Sequence, residues 1–118
     1  MNRLQSTRDR YLRDSMPVRL GGVASNLERI HALAADPALC EVAGGVLLQT
    51  ALFIDWAAPD AALEEQETLL EVQRALARWR RHVAPLWADA EKRERVGRDA
   101  REMSERVLAL SGLADGPR

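Results

Sequence analysis

Cys40 is the only cysteine in the 118-residue chain, and Lys92 is the only lysine. A lone thiol cannot close an intramolecular disulfide or build a thiolate metal site. The expected setting is therefore a reducing cytoplasm. Aromatics are as sparse, with three Trp, one Tyr and one Phe, too few for a broad base-stacking surface. Net charge is only −1, so no global field recruits nucleic acid or an anionic membrane. Any such role falls to a local patch. β-Branched residues are scarce and no run alternates with period two, which argues against strands. The N-terminal MNRLQSTRDRYLRDS has charge throughout and no apolar run, unlike a signal peptide. The most apolar run, VAGGVLLQTALFI, is shorter than the roughly 18–20 residues of a membrane span and is bracketed by Glu41 and Asp55. It reads as a buried helix with no membrane role.

Catalytic signatures are absent too. There is no G-x-S-x-G, no phosphate-cradling glycine loop after a strand, and no paired Cys/His set. The expectation is a non-enzyme with no catalytic residue and no cofactor.

What remains is 47% hydrophobic and 30% charged, the balance of one globular domain with one core. The bias to arginine and alanine points to a bacterial, GC-rich coding sequence. Helix punctuation falls at DSMP, ADPA, AAPDA, HVAPL and SGLADGP. Ser15, Asp36 and Asp60 are suited to N-caps, Pro17 and Pro37 to first turns, and Pro85 to a helix start. Gly112 and Pro117 close the last helix. The expected fold is all-α: an up-down antiparallel four-helix bundle with helices at 16–35, 37–57, 60–83 and 85–111. A basic arm, 1–14, either a short helix or flexible, precedes a domain at 15–113, and 114–118 form a flexible tail. One long third-plus-fourth helix kinked at Pro85 is disfavoured, because the apolar stripe changes phase between Trp79 and Met103.

Periodicity supports the four helices. Met16, Leu20, Val23, Leu27, Ile30 and Ala34 alternate spacings of four and three. Leu69, Val72, Leu76, Trp79 and Val83 do the same, as do Val96, Ala100, Met103, Val107 and Leu110. Each set makes one buried stripe. The second helix differs. Leu39, Val42, Val46, Phe53 and Ala57 read as its core face, yet Leu48 and Leu52 lie on the other side with Gly44, Gly45 and Trp56. Burying two leucines rather than exposing them is worth roughly 1.5–3 kcal/mol each. That second face is therefore expected to be covered by the N-terminal arm or by another subunit, most simply in a two-fold homodimer. The glycine pairs in LGGVAS and VAGGVL cost a helix roughly 1 kcal/mol per glycine relative to alanine. Close helix approach or a kink explains them, or, for Gly44 and Gly45, an intermolecular contact.

The second candidate is ALARWRRHVAPLW, residues 75–87. The third helix has acids in its first half and Arg74, Arg78, Arg80 and Arg81 in its second, which suits the helix dipole without any ligand. Because the third and fourth helices are longer, their turn is expected to project by roughly 5 Å at 1.5 Å per residue. That would place Arg80, Arg81, His82, Leu86 and Trp87 on a knuckle, where arginine and aromatic side chains anchor interfaces. Arg78, Arg80, Arg81, His82 and Trp87 are thus the candidate anion or partner patch. Nucleic acid is disfavoured, since the fourth helix interleaves Asp89–Arg93, Glu91–Arg95, Glu94–Arg98 and Glu102–Arg106 pairs four apart.

Gln49, Thr50 and Gln66 are expected at similar heights, as a polar layer that fixes register or lines a small-ligand site. His31 and His82 lack a carboxylate cluster at ligand spacing, so no metal is expected. The functional expectation is a small helical protein acting through protein–protein contact, as a homodimer through the second helix. An anion- or nucleic-acid-binding module at the 75–87 turn is the alternative, and a small-ligand-binding bundle a third reading.

Overall fold

The computed structural model describes residues 2–112, and within them the chain is all-helical with no strand. The expected tail at 114–118 and Pro117 lie outside the described residues. Six α-helices run in order: α1 Arg3–Leu12, α2 Met16–Leu33, α3 Cys40–Ala57, α4 Leu63–Arg81, α5 Val83–Ala88 and α6 Ala90–Ser111. Short 3₁₀ turns at Pro37–Leu39 and Ala58–Asp60 lead into and out of α3. Six α-helices are two more than the four expected, and the four long ones are shorter than their expected spans at 16–35, 37–57, 60–83 and 85–111. The other two arise because the arm is helical and because the chain breaks twice around Pro85.

Local chemistry sets the boundaries. The carboxamide of Asn2 accepts from the Gln5 N–H at 2.7 Å and caps α1. Ser15 precedes α2 and accepts the Arg19 N–H through its backbone carbonyl, not its hydroxyl. Asp36 caps as expected, its carboxylate accepting from the Ala38 N–H at 2.8 Å, but what it caps is the 3₁₀ turn. Asp60 does not cap the next helix. α4 starts two residues later than that cap requires, after Ala62, whose N–H donates to the Glu65 carboxylate at 2.7 Å. Asp60 instead pairs with Arg19 at 2.9 Å. Gly112 ends α6 with φ 76, the left-handed conformation glycine tolerates best.

Pro85 does not open the last helix. His82 leaves helical geometry, at φ −125 and ψ 28, and α5 starts behind it. Pro85 is the third residue of α5, in the first turn, where a missing N–H costs little. A second break at Asp89 restarts the chain as α6, with the Asp89 carboxylate accepting from the Lys92 N–H at 3.0 Å. That donated hydrogen bond holds the Asp89 carboxyl below the usual carboxylate range.

The core follows the apolar stripes. Leu20, Val23, Leu27 and Ile30 of α2 are fully buried, as are Leu69, Val72 and Leu76 of α4. Val96, Ala100 and Val107 line the α6 face, with Gly97 and Ser104 beside them. α2 packs most extensively on α6, then on α3; α3 packs on α4, and α4 touches α6, closing a ring. Gly97 permits the tightest crossing: a methyl added there would stand 3.1 Å from the Cβ of Ala34. The imidazole Nδ1 of His31 lies 2.8 Å from the Gly97 carbonyl in the same contact. The Ser104 hydroxyl donates to the Ala24 carbonyl at 2.7 Å, so this buried polar group costs little.

α3 is turned differently from its expected setting. Its core side is Ala43, Val46, Leu47, Thr50, Ala51, Ile54 and Ala57. Val42, expected inside, is 53% exposed. Phe53, also expected inside, packs half-buried against α1. Thr50 is fully buried and donates to its own helix at the Val46 carbonyl, 2.6 Å away. With its flanking turns, Pro37–Asp60 forms a 24-residue helical stretch, and an 18-residue window within it has mean hydropathy 1.6 and is one third buried. By length and composition alone this exceeds the membrane-span threshold, which the shorter run considered from sequence did not.

Candidate functional site

Two surface features bring the candidate residues together. The first is the outer face of α3, with α1 laid along part of it. Arg19 positions α1. Its guanidinium donates to the Asp14 carbonyl at 2.9 Å and the Leu12 carbonyl at 2.8 Å, besides its bond to Asp60. Tyr11, at the end of α1, then stacks on Phe53 with ring centroids 4.4 Å apart and planes 6° from parallel. Trp56 closes the trio at 6.0 Å from the Tyr11 ring. The Tyr11 hydroxyl donates to the Arg19 carbonyl at 2.9 Å, and burial pushes that hydroxyl's pKa well up. Gly22 lies under this stack, where an added methyl would meet the rings of Phe53 and Tyr11 at 3.8 Å, an ordinary packing distance.

The arm covers this face only in part. Arg3, Leu4 and Thr7 of α1 flank Leu48, Leu52 and Trp56 across an open groove of about 340 Å³. Leu52 and Trp56 are half-buried. Leu48 remains 44% exposed and Leu4 52%. Gly44 and Gly45 have open space where a side chain would stand, with nothing within 4 Å of an added Cβ. Close approach within the chain therefore accounts for Gly97 but not for this pair.

The second feature is a cleft of about 440 Å³ where the end of α4 meets α5 and the start of α6. Arg78 and His82 reach it from α4, and Lys92 and Arg95 from α6, over a floor that includes Trp79 and Val96. Pro85 and Leu86 of α5 form a side wall, and Asp99 is the lining acid. Of the five residues expected as an anion patch, two line this cleft. Arg80 and Arg81 are exposed outside it. Trp87 is a correction: it is 1% exposed, packed in the core, with its indole N–H donating to the Leu33 carbonyl at 3.3 Å. α5 turns it inward, so it anchors the fold rather than a knuckle. Lys92 and Arg95 were not expected here, and their spacing of three on α6 was the only available hint.

The polar layer does not form. Gln49 accepts from Asn26 at 3.1 Å, and Gln66 donates to the carbonyls of Ala58 and Ala61. Both serve helix ends and neighbours instead of each other. Of the charge pairs expected along the last helix, Glu91 and Arg95 lie 4.0 Å apart. Arg106 instead reaches Glu71 of α4 at 2.6 Å. Arg93 turns inward to the carbonyls of Ala34 and Trp87, at 3.0 and 2.8 Å. No group of three metal-ligating side chains occurs among the described residues, and no buried side-chain N or O among them lacks a hydrogen bond. No family model matches the chain, and no match was found among curated proteins or solved structures.

Proposed function

We propose that the protein acts by protein–protein contact, as a homodimer joined through the outer face of α3, with α2, α3, α4 and α6 serving as an up-down bundle that holds this face rigid. The observation that carries the reading is the half-covered apolar strip: Leu4, Val42 and Leu48 exposed around two glycines that nothing in the chain crowds. A second copy is the occupant that fits. Glu41 and Asp55 stand seven residues to either side of Leu48, and α3 carries no basic residue. A two-fold axis at Leu48 therefore brings Asp55 of a second copy toward the Glu41 end of this one. Arg3 lines the groove at that end, with no ion pair among the described residues. The strip is apolar in the middle, and at its edges Arg3 offers the charge opposite to the two carboxylates, Glu41 and the second copy's Asp55, that the two-fold brings together.

The contact is modest in strength. Covering the exposed halves of these side chains gains on the order of 1 kcal/mol each. Association costs roughly 4–15 kcal/mol in lost freedom, so these side chains leave a weak dimer, with dissociation in the millimolar range or weaker. Light scattering and sedimentation over a concentration series test it. Wild type is expected to dimerise as concentration rises, and Leu48→Glu to remain a folded monomer, since position 48 is already partly solvated. A wild type that stays monomeric throughout, or that leaves solution with lipid vesicles instead of pairing, defeats the proposal.

A further inference from the structure

The dimer reading leaves the α4–α5–α6 cleft unused, and that cleft has features a solvated helix end does not require. The breaks at His82 and Asp89 lift α5 away as a wall. The C-terminal turn of α4 and the N-terminal turns of α6 then face one cavity, of a size typical of small-molecule sites, roughly 300–1,000 Å³. Four basic side chains line it, Arg78, His82, Lys92 and Arg95, against the single acid Asp99. Among the described residues, Arg78, His82 and Lys92 have no carboxylate within ion-pair distance. Arg95 meets Glu91 only at 4.0 Å, with both groups largely in water. Elsewhere several arginines are spent on structure: Arg19, Arg93 and Arg106 each satisfy a carbonyl or a carboxylate at 3.0 Å or less. The cleft's cations are left for something else, and beneath them lies a floor of Trp79 and Val96, each 3% exposed.

We propose that this cleft binds a small organic anion: a carboxylate or phosphate head held by Arg78, Lys92 and His82, joined to a short apolar body resting on Trp79, Leu86 and Val96. Charge complementarity selects the head, because guanidinium and ammonium donors form strong, charge-assisted hydrogen bonds to both groups. The apolar floor selects the body and separates this ligand from a nucleic-acid backbone, which offers phosphates but needs no greasy seat. The site is independent of the α3 face, so either proposal stands if the other falls.

Decanoate and decyl phosphate, titrated calorimetrically below their aggregation thresholds, are the probes, with decanol, inorganic phosphate and a single-stranded oligonucleotide as comparisons. The two decyl anions are expected to bind, and whichever binds tighter identifies the head group. Arg78→Glu and Lys92→Glu should each weaken the tighter anion by about tenfold or more, the loss of one charge-assisted hydrogen bond. Both positions are exposed, so folding is expected to persist and circular dichroism checks it; Arg78→Gln, which removes charge without reversing it, should weaken binding in the same direction. Arg80→Glu and Arg81→Glu, outside the cavity, and Leu48→Glu, on the other face, should leave affinity unchanged. Any of three results overturns the proposal: neither decyl anion binds; the Arg78 and Lys92 variants bind as wild type does; or decanol, inorganic phosphate or the oligonucleotide binds as tightly as the better decyl anion.

Discussion

One substitution, glycine to alanine, should have opposite signs at two places in this chain. At Gly45 an added methyl meets nothing within 4 Å. The change then acts only on backbone freedom and helix propensity, for a gain of roughly 0.8–1 kcal/mol. In a domain of this size that corresponds to about a 4 °C rise in midpoint. At Gly97 the same methyl stands 3.1 Å from the Ala34 Cβ and 3.6 Å from both Nδ1 and the carbonyl oxygen of His31. Ala34 has no flexible end to swing aside, so α2 and α6 must separate along their most extensive contact. Overpacking of this kind costs typically 1–3 kcal/mol, which outweighs the propensity gain and leaves a net loss of up to about 2 kcal/mol. The clean assay is urea denaturation in a Leu48→Glu background, where self-association cannot contribute. Equal gains at both positions would show that the α2–α6 crossing has room for a methyl and refute the tight contact. A loss at Gly45 in that background would show that the α3 groove is not open within one chain. In the wild-type background, Gly45→Ala then tests the proposed dimer, and looser association is expected if two helix backbones meet there.

Trp87→Ala should cost about 3–5 kcal/mol, as for a large aromatic removed from a core; a loss under about 0.5 kcal/mol, normal for a surface site, would return Trp87 to an exposed knuckle. Tyr11 gives a pH test. Burial holds its proton more tightly in the folded chain than the unfolded one, where a phenol ionises near pH 10. That stabilisation is complete below about pH 10 and is lost as pH rises further. The urea midpoint should therefore fall on the alkaline side for wild type and much less for Tyr11→Phe, which gives up the hydrogen bond to Arg19 for roughly 1 kcal/mol at neutral pH. A parallel fall in both proteins would place the alkaline sensitivity elsewhere.

The stripes of α2, α4 and α6 were legible because those helices are amphipathic: a polar face opposite each apolar one leaves a single orientation in which both are satisfied. Leu20 to Ile30, Leu69 to Trp79 and Val96 to Val107 could be assigned from spacing alone. α3 could not. Its residues are apolar on nearly every side, so no polar face pins its rotation, and contacts with α2, α4 and α1 place Ala43 and Leu47 inside and Val42 outside. That the outer face is apolar was readable; that α1 would cover part of it depended on Arg19 drawing in the turn and on Tyr11 finding Phe53. Trp87 was misplaced because a tryptophan beside arginines reads alike as an anchor for a partner or for the core, and only the breaks at His82 and Asp89 decide. The α4–α6 cleft has the same origin. Composition supplied the cations, and a periodic pattern describes one helix at a time. Which cations on different helices share a cavity is set by where two chain breaks direct the next segment, a property of the packed molecule.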